Sequence, residues 1–117
     1  MARGADTGPG TLSQLVREAA GMVDPSDSMA LIGDFERWFE DDDEPANAVP
    51  NLDRRLAGAL DELDPEGSEP ALVIAAAVVS YLATMPRNAP RDAERVIQQA
   101  VLLQFGDNVP DDVAVWL

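Results

Sequence analysis

The chain of 117 residues contains no cysteine, no histidine and no lysine, and its eight basic residues are all arginine. Without histidine there is no imidazole base, and without cysteine there is neither a thiolate nucleophile nor a disulfide. The absence of lysine excludes a Schiff-base amine and a P-loop lysine. Since only carboxylates, hydroxyls and guanidinium groups remain, we expect a protein that is not an enzyme and that needs no cofactor.

No apolar run in the sequence is long enough to cross a membrane. The longest, residues 71–85, is interrupted by Ser80 and Thr84, whereas a membrane-spanning helix needs about 20 apolar residues. Residues 1–10 lack the apolar run of a secretory signal, and the hydrophobic fraction of 46% is ordinary for one globular core. We therefore expect a cytoplasmic protein with a disordered leader (residues 1–10) and a single all-helical domain (residues 11–117).

Apolar residues recur at intervals of three and four along most of the chain, which is the spacing of amphipathic helices. The first helix is predicted to begin after Thr11, which can form a capping box with Gln14. The second is predicted to begin at Asp24, with Pro25 at its first helical position. Its predicted core face comprises Leu31, Ile32, Phe35, Trp38 and Phe39.

The second half of the sequence predicts three further helices. One follows Asn51 as its cap, and the next, at about residues 69–85, is apolar nearly all the way round, as expected for a helix surrounded by neighbours. In that helix we expect Ser80 and Thr84 to bond back to carbonyls of their own turn. The last begins at Arg91 and ends before Gly106, and its predicted core residues are Ala93, Val96, Ile97, Ala100, Val101 and Leu103.

A short helix after Pro110 is expected to dock Val113, Trp116 and Leu117 on the core. The fold class predicted from these elements is all-α. We expect a compact single-domain bundle of about five helices plus a short C-terminal helix, packed around the central apolar helix.

Negative charge is concentrated in the middle of the sequence. The chain has 22 acidic residues and a formal net charge of -14, and residues 24–69 alone contain 15 acids and three arginines. A field of this sign steers basic partners towards the protein and repels nucleic acid and anionic membranes. We therefore expect a basic protein surface as partner, with neither nucleic acid nor a membrane bound.

The candidate partner-binding residues form an acidic face that is centred on residues 40–44 and continued by five acids of residues 61–69. Five of them fall at the C-terminal end of the second predicted helix, where the macrodipole disfavours negative charge by a few tenths of a kcal/mol each. Their presence at the unfavourable end indicates a use beyond solubility. The candidate set is Glu40, Asp41, Asp42, Asp43, Glu44, Asp61, Glu62, Asp64, Glu66 and Glu69.

Metal and anion sites are not favoured by the same sequence. Consecutive acids point in different directions, whereas a calcium loop starting at Asp24 would need glycine where Met29 stands and glutamate where Phe35 stands. Arg91 and Arg95 share a helix face, but acids three residues from each can pair with them. We expect neither a metal site nor a phosphate site.

Two functions from different classes fit these observations. The first is a non-catalytic acidic helical interaction module that binds a basic protein partner through the face formed by residues 24–69, as inhibitor, immunity or adaptor proteins do. The alternative is a small helical protein that assembles as a homo-oligomer, in which the acids serve only solubility or adaptation to high salt. The apolar content of the second helix and of the C-terminal VAVWL motivates this alternative.

Overall fold

The computed structural model describes residues 10–67, 69–85 and 92–115. In these ranges the chain forms six α-helices and one turn of 3-10 helix, with no β-strand. The predicted all-α fold class is confirmed, whereas most of the predicted leader lies outside the described residues. The helices are α1 (Leu12–Val23), α2 (Ala30–Trp38), α3 (Leu52–Leu63), α4 (Pro70–Leu82), α5 (Ala93–Phe105) and α6 (Asp111–Ala114), with the 3-10 turn at Ala46–Ala48.

Helix α4 lies at the centre of the bundle and packs against α1, α2, α3, α5 and α6. Nine of its thirteen residues are buried, and they are distributed all round the helix. A helix that is apolar on every side has no face suited to water, so it is stable only when neighbours surround it. The predicted central position of this segment is confirmed.

The start of α1 is capped as predicted. The Thr11 hydroxyl accepts a hydrogen bond from the backbone N–H of Gln14 at 3.3 Å, and the Gln14 side chain accepts one from the N–H of Thr11 at 3.0 Å. This reciprocal pair is a complete capping box. The first helix therefore begins where the local sequence places it.

The predicted start of the second helix at Asp24 is wrong. Asp24 instead ends α1, and α2 begins at Ala30. Between them Asp27 has φ 54°, a left-handed conformation that a helix cannot contain. The Asp24 carboxylate accepts from the N–H groups of Ser28 (3.1 Å) and Met29 (2.9 Å). Its capping chemistry is therefore as predicted, but it acts across a six-residue connection.

The core face of α2 is narrower than predicted, because Trp38 does not belong to it. Ile32, Phe35 and Phe39 are buried, and the two phenylalanine rings pack edge to face with centroids 5.5 Å apart. Trp38 lies about 100° from Phe39 around the helix, and 48% of its surface is exposed. The direction of the helix, set by Phe35 and Phe39, leaves the indole at the surface.

Three predictions in the second half of the chain also need correction. Asn51 precedes α3 as expected but makes no side-chain cap; its φ of 57° is a left-handed conformation, which asparagine tolerates. Ser80 donates to Asp53 of α3 rather than to its own helix, whereas Thr84 bonds back to the Tyr81 carbonyl as predicted. The predicted core residues Ala93 and Leu103 are exposed on α5.

The exposed Leu103 follows from how α5 meets α4. Val96, Ile97, Ala100 and Val101 are buried and form one stripe, which is enough to cover α4 on that side. The helix ends before Gly106 as predicted. Val113 of α6 is buried as expected. Helix α5 begins at Ala93, after Asp92 in an extended conformation, and thus two residues later than predicted. The predicted docking of residues 116–117 lies outside the described residues.

Candidate functional site

The acidic segment, residues 40–44, is tied to the N-terminus of α1 by its backbone. The carbonyl of Glu44 accepts from the N–H of Leu12 at 2.9 Å, and that of Asp42 accepts from Ser13 at 3.0 Å. These two amides are among the four that an α-helix leaves without intrahelical partners. The segment therefore follows the unfavourable end of α2 but also lies at the N-terminal end of α1, where the macrodipole favours negative charge.

Arg55 of α3 neutralises part of the acidic segment. Its guanidinium lies 3.1 Å from Asp42 Oδ1 and 2.9 Å from Glu44 Oε1. The hydrogen bond that Arg55 donates to Glu44 and the charge of Asp42 raise the pKa of Arg55 above its ordinary value. Two of the five carboxylates, half-buried Asp42 and exposed Glu44, thus hold the segment on α3, and the other three, Glu40, Asp41 and Asp43, are exposed.

The remaining candidate acids divide into two groups. Asp64 and Glu69 are half-buried and act locally, since Asp64 accepts from the N–H of Glu69 at 2.8 Å and Glu69 caps α4 by accepting from Ala71 at 3.3 Å. Asp61, Glu62 and Glu66 are exposed. The ten predicted residues therefore do not form one uniform acidic face, because the side chains of four of them (Asp42, Glu44, Asp64 and Glu69) are engaged by other groups of the fold.

A shallow depression between α2 and α3 brings acids together with the exposed indole. We call it the α2–α3 depression. Its base contains Phe39 and the small residues Gly58 and Ala59, and its edges are formed by Trp38, Asp42, Arg55 and Glu62. Of the candidate acids, only Asp42 and Glu62 line it. Trp38 was predicted to lie in the core and not at the surface. The only indication of its exposure in the sequence is its angular offset from Phe35 and Phe39 around the helix.

A second, smaller cleft lies on the opposite flank of α3, between α3 and α4. Leu56, Leu60 and Val73 contribute to its apolar wall, and its volume is about 80 Å³. Asp53 and Ser80 line its polar end and are joined by a hydrogen bond of 2.9 Å from the Ser80 hydroxyl to Asp53 Oδ1. Sequence analysis assigned no role to this pair.

The fold stabilises the ionised form of Asp24. Hydrogen bonds from the N–H of Met29 and then of Ser28 lower its pKa below the ordinary value. Both carboxylate oxygens are engaged by the connection before α2. Asp24 therefore stabilises a turn and is not available to a ligand.

In residues 10–67, 69–85 and 92–115, no group of three or more acidic side chains is placed to hold a metal ion. No helix in the same ranges is both long and apolar enough to cross a membrane. The predicted pairing of Arg91 lies outside these ranges.

Comparison of the chain with protein-family models, with curated proteins and with solved structures found no significant match.

Proposed function

We propose that this chain is a non-catalytic interaction module that binds a basic protein surface through the α2–α3 depression. The observation that carries the proposal is the half-exposed Trp38 on the edge of a depression that also contains the exposed carboxylate of Glu62 and the Asp42–Arg55 ion pair. The exposed acids Glu40, Asp41 and Asp43 come two to five residues after Trp38 in the chain. An aromatic anchor beside acids suits an arginine-bearing partner.

The chemistry of this depression matches a guanidinium in two ways. A guanidinium over an indole face gains roughly 0.5–2 kcal/mol from the cation–π interaction. Arginine also pairs with carboxylates through a planar fork of donors, and the fold already holds Arg55 in that manner between Asp42 and Glu44. Tryptophan is among the residues that most often dominate binding energy in interfaces. We therefore assign affinity to Trp38 and charge steering to the exposed acids.

The exposed acids should act mainly on the rate of association. Charges at the rim of an interface accelerate encounter and make it sensitive to salt. The net charge of -14 adds a long-range attraction for a basic surface and a repulsion for nucleic acid. The proposal includes the cytoplasm as the place of action, which fractionation of cells expressing the tagged chain would test.

The experiment begins with capture of the partner from native lysate at low salt and its elution by a salt gradient. The affinity of the purified partner is then measured by calorimetry for three variants of the full chain. We expect Trp38→Ala to weaken binding by at least about tenfold. We expect reversal of Glu40, Asp41 and Asp43 to arginine to abolish binding at low salt.

The matched control reverses Asp107, Asp111 and Asp112 to arginine, three exposed acids near the C-terminus. This variant changes the net charge by the same amount but leaves the depression intact, so its affinity should fall much less. Equal losses from both triple variants would show that only net charge matters. Unchanged binding by Trp38→Ala would remove the depression from the interface.

A second candidate function, homo-oligomeric assembly, is favoured by a different observation. Leu102 and Leu103 are adjacent on α5 and are 49% and 68% exposed, and Val115 is 80% exposed. Adjacent large apolar side chains that are exposed, such as Leu102 and Leu103, are typical of surfaces that associate. Sedimentation at micromolar concentration tests this candidate: a dimer that dissociates in Leu102→Gln/Leu103→Gln supports it, and a monomer at both low and high salt contradicts it.

A further inference from the structure

The cleft between α3 and α4 combines an apolar wall with a single charged group. Leu56, Leu60 and Val73 line the wall, and Ala76 and Ala77 of α4 lie beside them, where their small side chains leave the space open. Asp53, in the first turn of α3, lines the same cleft. The cleft thus suits a molecule with an apolar stem and a positive end.

The volume of the cleft limits the size of the molecule that it can bind. By a measure in which one water occupies about 10–15 Å³, the volume of about 80 Å³ holds roughly five to eight groups of water size. The side chain of lysine, with four methylenes and one ammonium, has five such groups. A large ring system does not fit this volume, whereas an extended alkyl chain does.

The polar end of the cleft offers acceptors for an ammonium group. Asp53 Oδ1 accepts one hydrogen bond from Ser80 at 2.9 Å, and a carboxylate has about four lone-pair positions in all. The Ser80 oxygen also retains acceptor capacity, since its proton is directed to Asp53. An ammonium has three donors on a compact centre, so it can bond to Asp53 and Ser80 together.

We propose that this cleft binds a primary alkylammonium group, and specifically the side chain of a lysine on the basic partner. The assignment of the amine to a partner lysine rests on the proposed function, whereas binding of an alkylammonium by the cleft does not. The two flanks of α3 then differ in the cationic group that they bind. The α2–α3 depression, with Trp38, takes a guanidinium, and the narrower cleft takes an ammonium with its apolar stem.

The test titrates the isotopically labelled full chain with n-butylammonium and follows backbone amide signals by NMR. We expect saturable shifts at Ala76, Ala77 and Ser80, with a dissociation constant on the order of 1–10 mM. The n-butanol control has the same stem without charge and should give much weaker binding. Absence of saturable shifts, or equal binding of the alcohol, would overturn the proposal.

Variants on α3 locate the site. Asp53→Asn should weaken butylammonium binding at least fivefold, because it removes the charge at the polar end of the cleft. The matched control is Asp61→Asn, an exposed acid two turns further along the same helix that lines neither depression. Ala57→Leu, at an exposed rim position, should also weaken binding by narrowing the entrance. Loss of affinity in Asp61→Asn equal to that in Asp53→Asn would contradict the assignment.

The source of the ammonium is tested with the captured partner. If the amine comes from a partner lysine, Asp53→Asn weakens the partner complex as well as butylammonium binding, and acetylation of the partner's lysines has the same effect. Unchanged partner affinity in Asp53→Asn would overturn the lysine assignment. If no partner is captured, the proposed function fails, whereas saturable binding of butylammonium still supports the cleft as an amine site.

Discussion

The guanidinium of Arg55 lies 2.9 Å from the carboxylate of Glu44, eleven residues earlier in the chain. Together with the bond to Asp42 at 3.1 Å, this contact attaches the acidic segment to α3. The carbonyls of the same segment accept hydrogen bonds from the first amides of α1. Arg55 therefore connects three parts of the fold that are separated in sequence.

Removal of this cation should destabilise the protein in a salt-dependent way. Partly exposed ion pairs contribute about 0.2–1 kcal/mol each, so we expect Arg55→Gln to lower the free energy of unfolding by about 1 kcal/mol at low ionic strength. At about 1 M salt the loss should shrink, because the Debye length falls to about 3 Å. Urea unfolding at both salt concentrations measures it. Arg54→Gln is the control, since no ion pair of Arg54 occurs among the described residues.

Substitution of Asp24 should make the stability of the protein less dependent on pH in the acidic range. The pKa of Asp24 is lowered in the folded protein. Its contribution to stability is therefore complete at pH values above the ordinary aspartate pKa of about 3.9, and it is lost as the pH falls through the pKa of the folded state. Asp24→Asn has one acceptor oxygen for two amides, so its melting temperature should be lower than that of the wild type at neutral pH. The gap should close at strongly acidic pH. A gap of constant size, or one equal to that of exposed Asp107→Asn, would contradict this role.

Two glycine substitutions should have opposite effects on the free energy of unfolding. A Cβ at Gly58 in α3 would meet no atom within 4 Å, so Gly58→Ala should raise the free energy of unfolding by up to about 1 kcal/mol through helix propensity. Gly106 has φ +60°, and Gly106→Ala should cost about 1 kcal/mol because an L side chain disfavours that conformation. Chemical denaturation of both variants tests the pair. A loss of stability in Gly58→Ala would show that α3 is closely packed at that position.

Truncation of apolar side chains should distinguish the core from the surface of the bundle. Ile74 of α4 is fully buried, and Ile74→Ala should cost about 2–5 kcal/mol. Leu103 of α5 is 68% exposed, and Leu103→Ala should change the free energy of unfolding by no more than about 0.5 kcal/mol. Equal losses in dilute protein would mean that Leu103 is covered by another part of the chain.

Local signals in the sequence predicted much of the fold correctly. The capping box at Thr11 and the apolar segment that forms α4 depend on residues within one or two helical turns, and both were located without the structure. The start of α2 was predicted incorrectly. Asp24 followed by Pro25 is a pattern typical of a helix start, but here the same pattern lies in the connection between α1 and α2. The left-handed conformation of Asp27, three residues before α2 begins at Ala30, decides between them.

The candidate site was predicted only in composition. The sequence by itself determined that this protein is helical, strongly acidic in its middle third and without imidazole, thiol or amine side chains, because these follow from residue types and their spacing. Only the tertiary structure decided which of the carboxylates are engaged by other groups of the fold. Asp42 and Glu44 meet Arg55, and Trp38 is left at the surface, because packing of Phe35 and Phe39 sets the direction of α2 and places the acidic segment against α3.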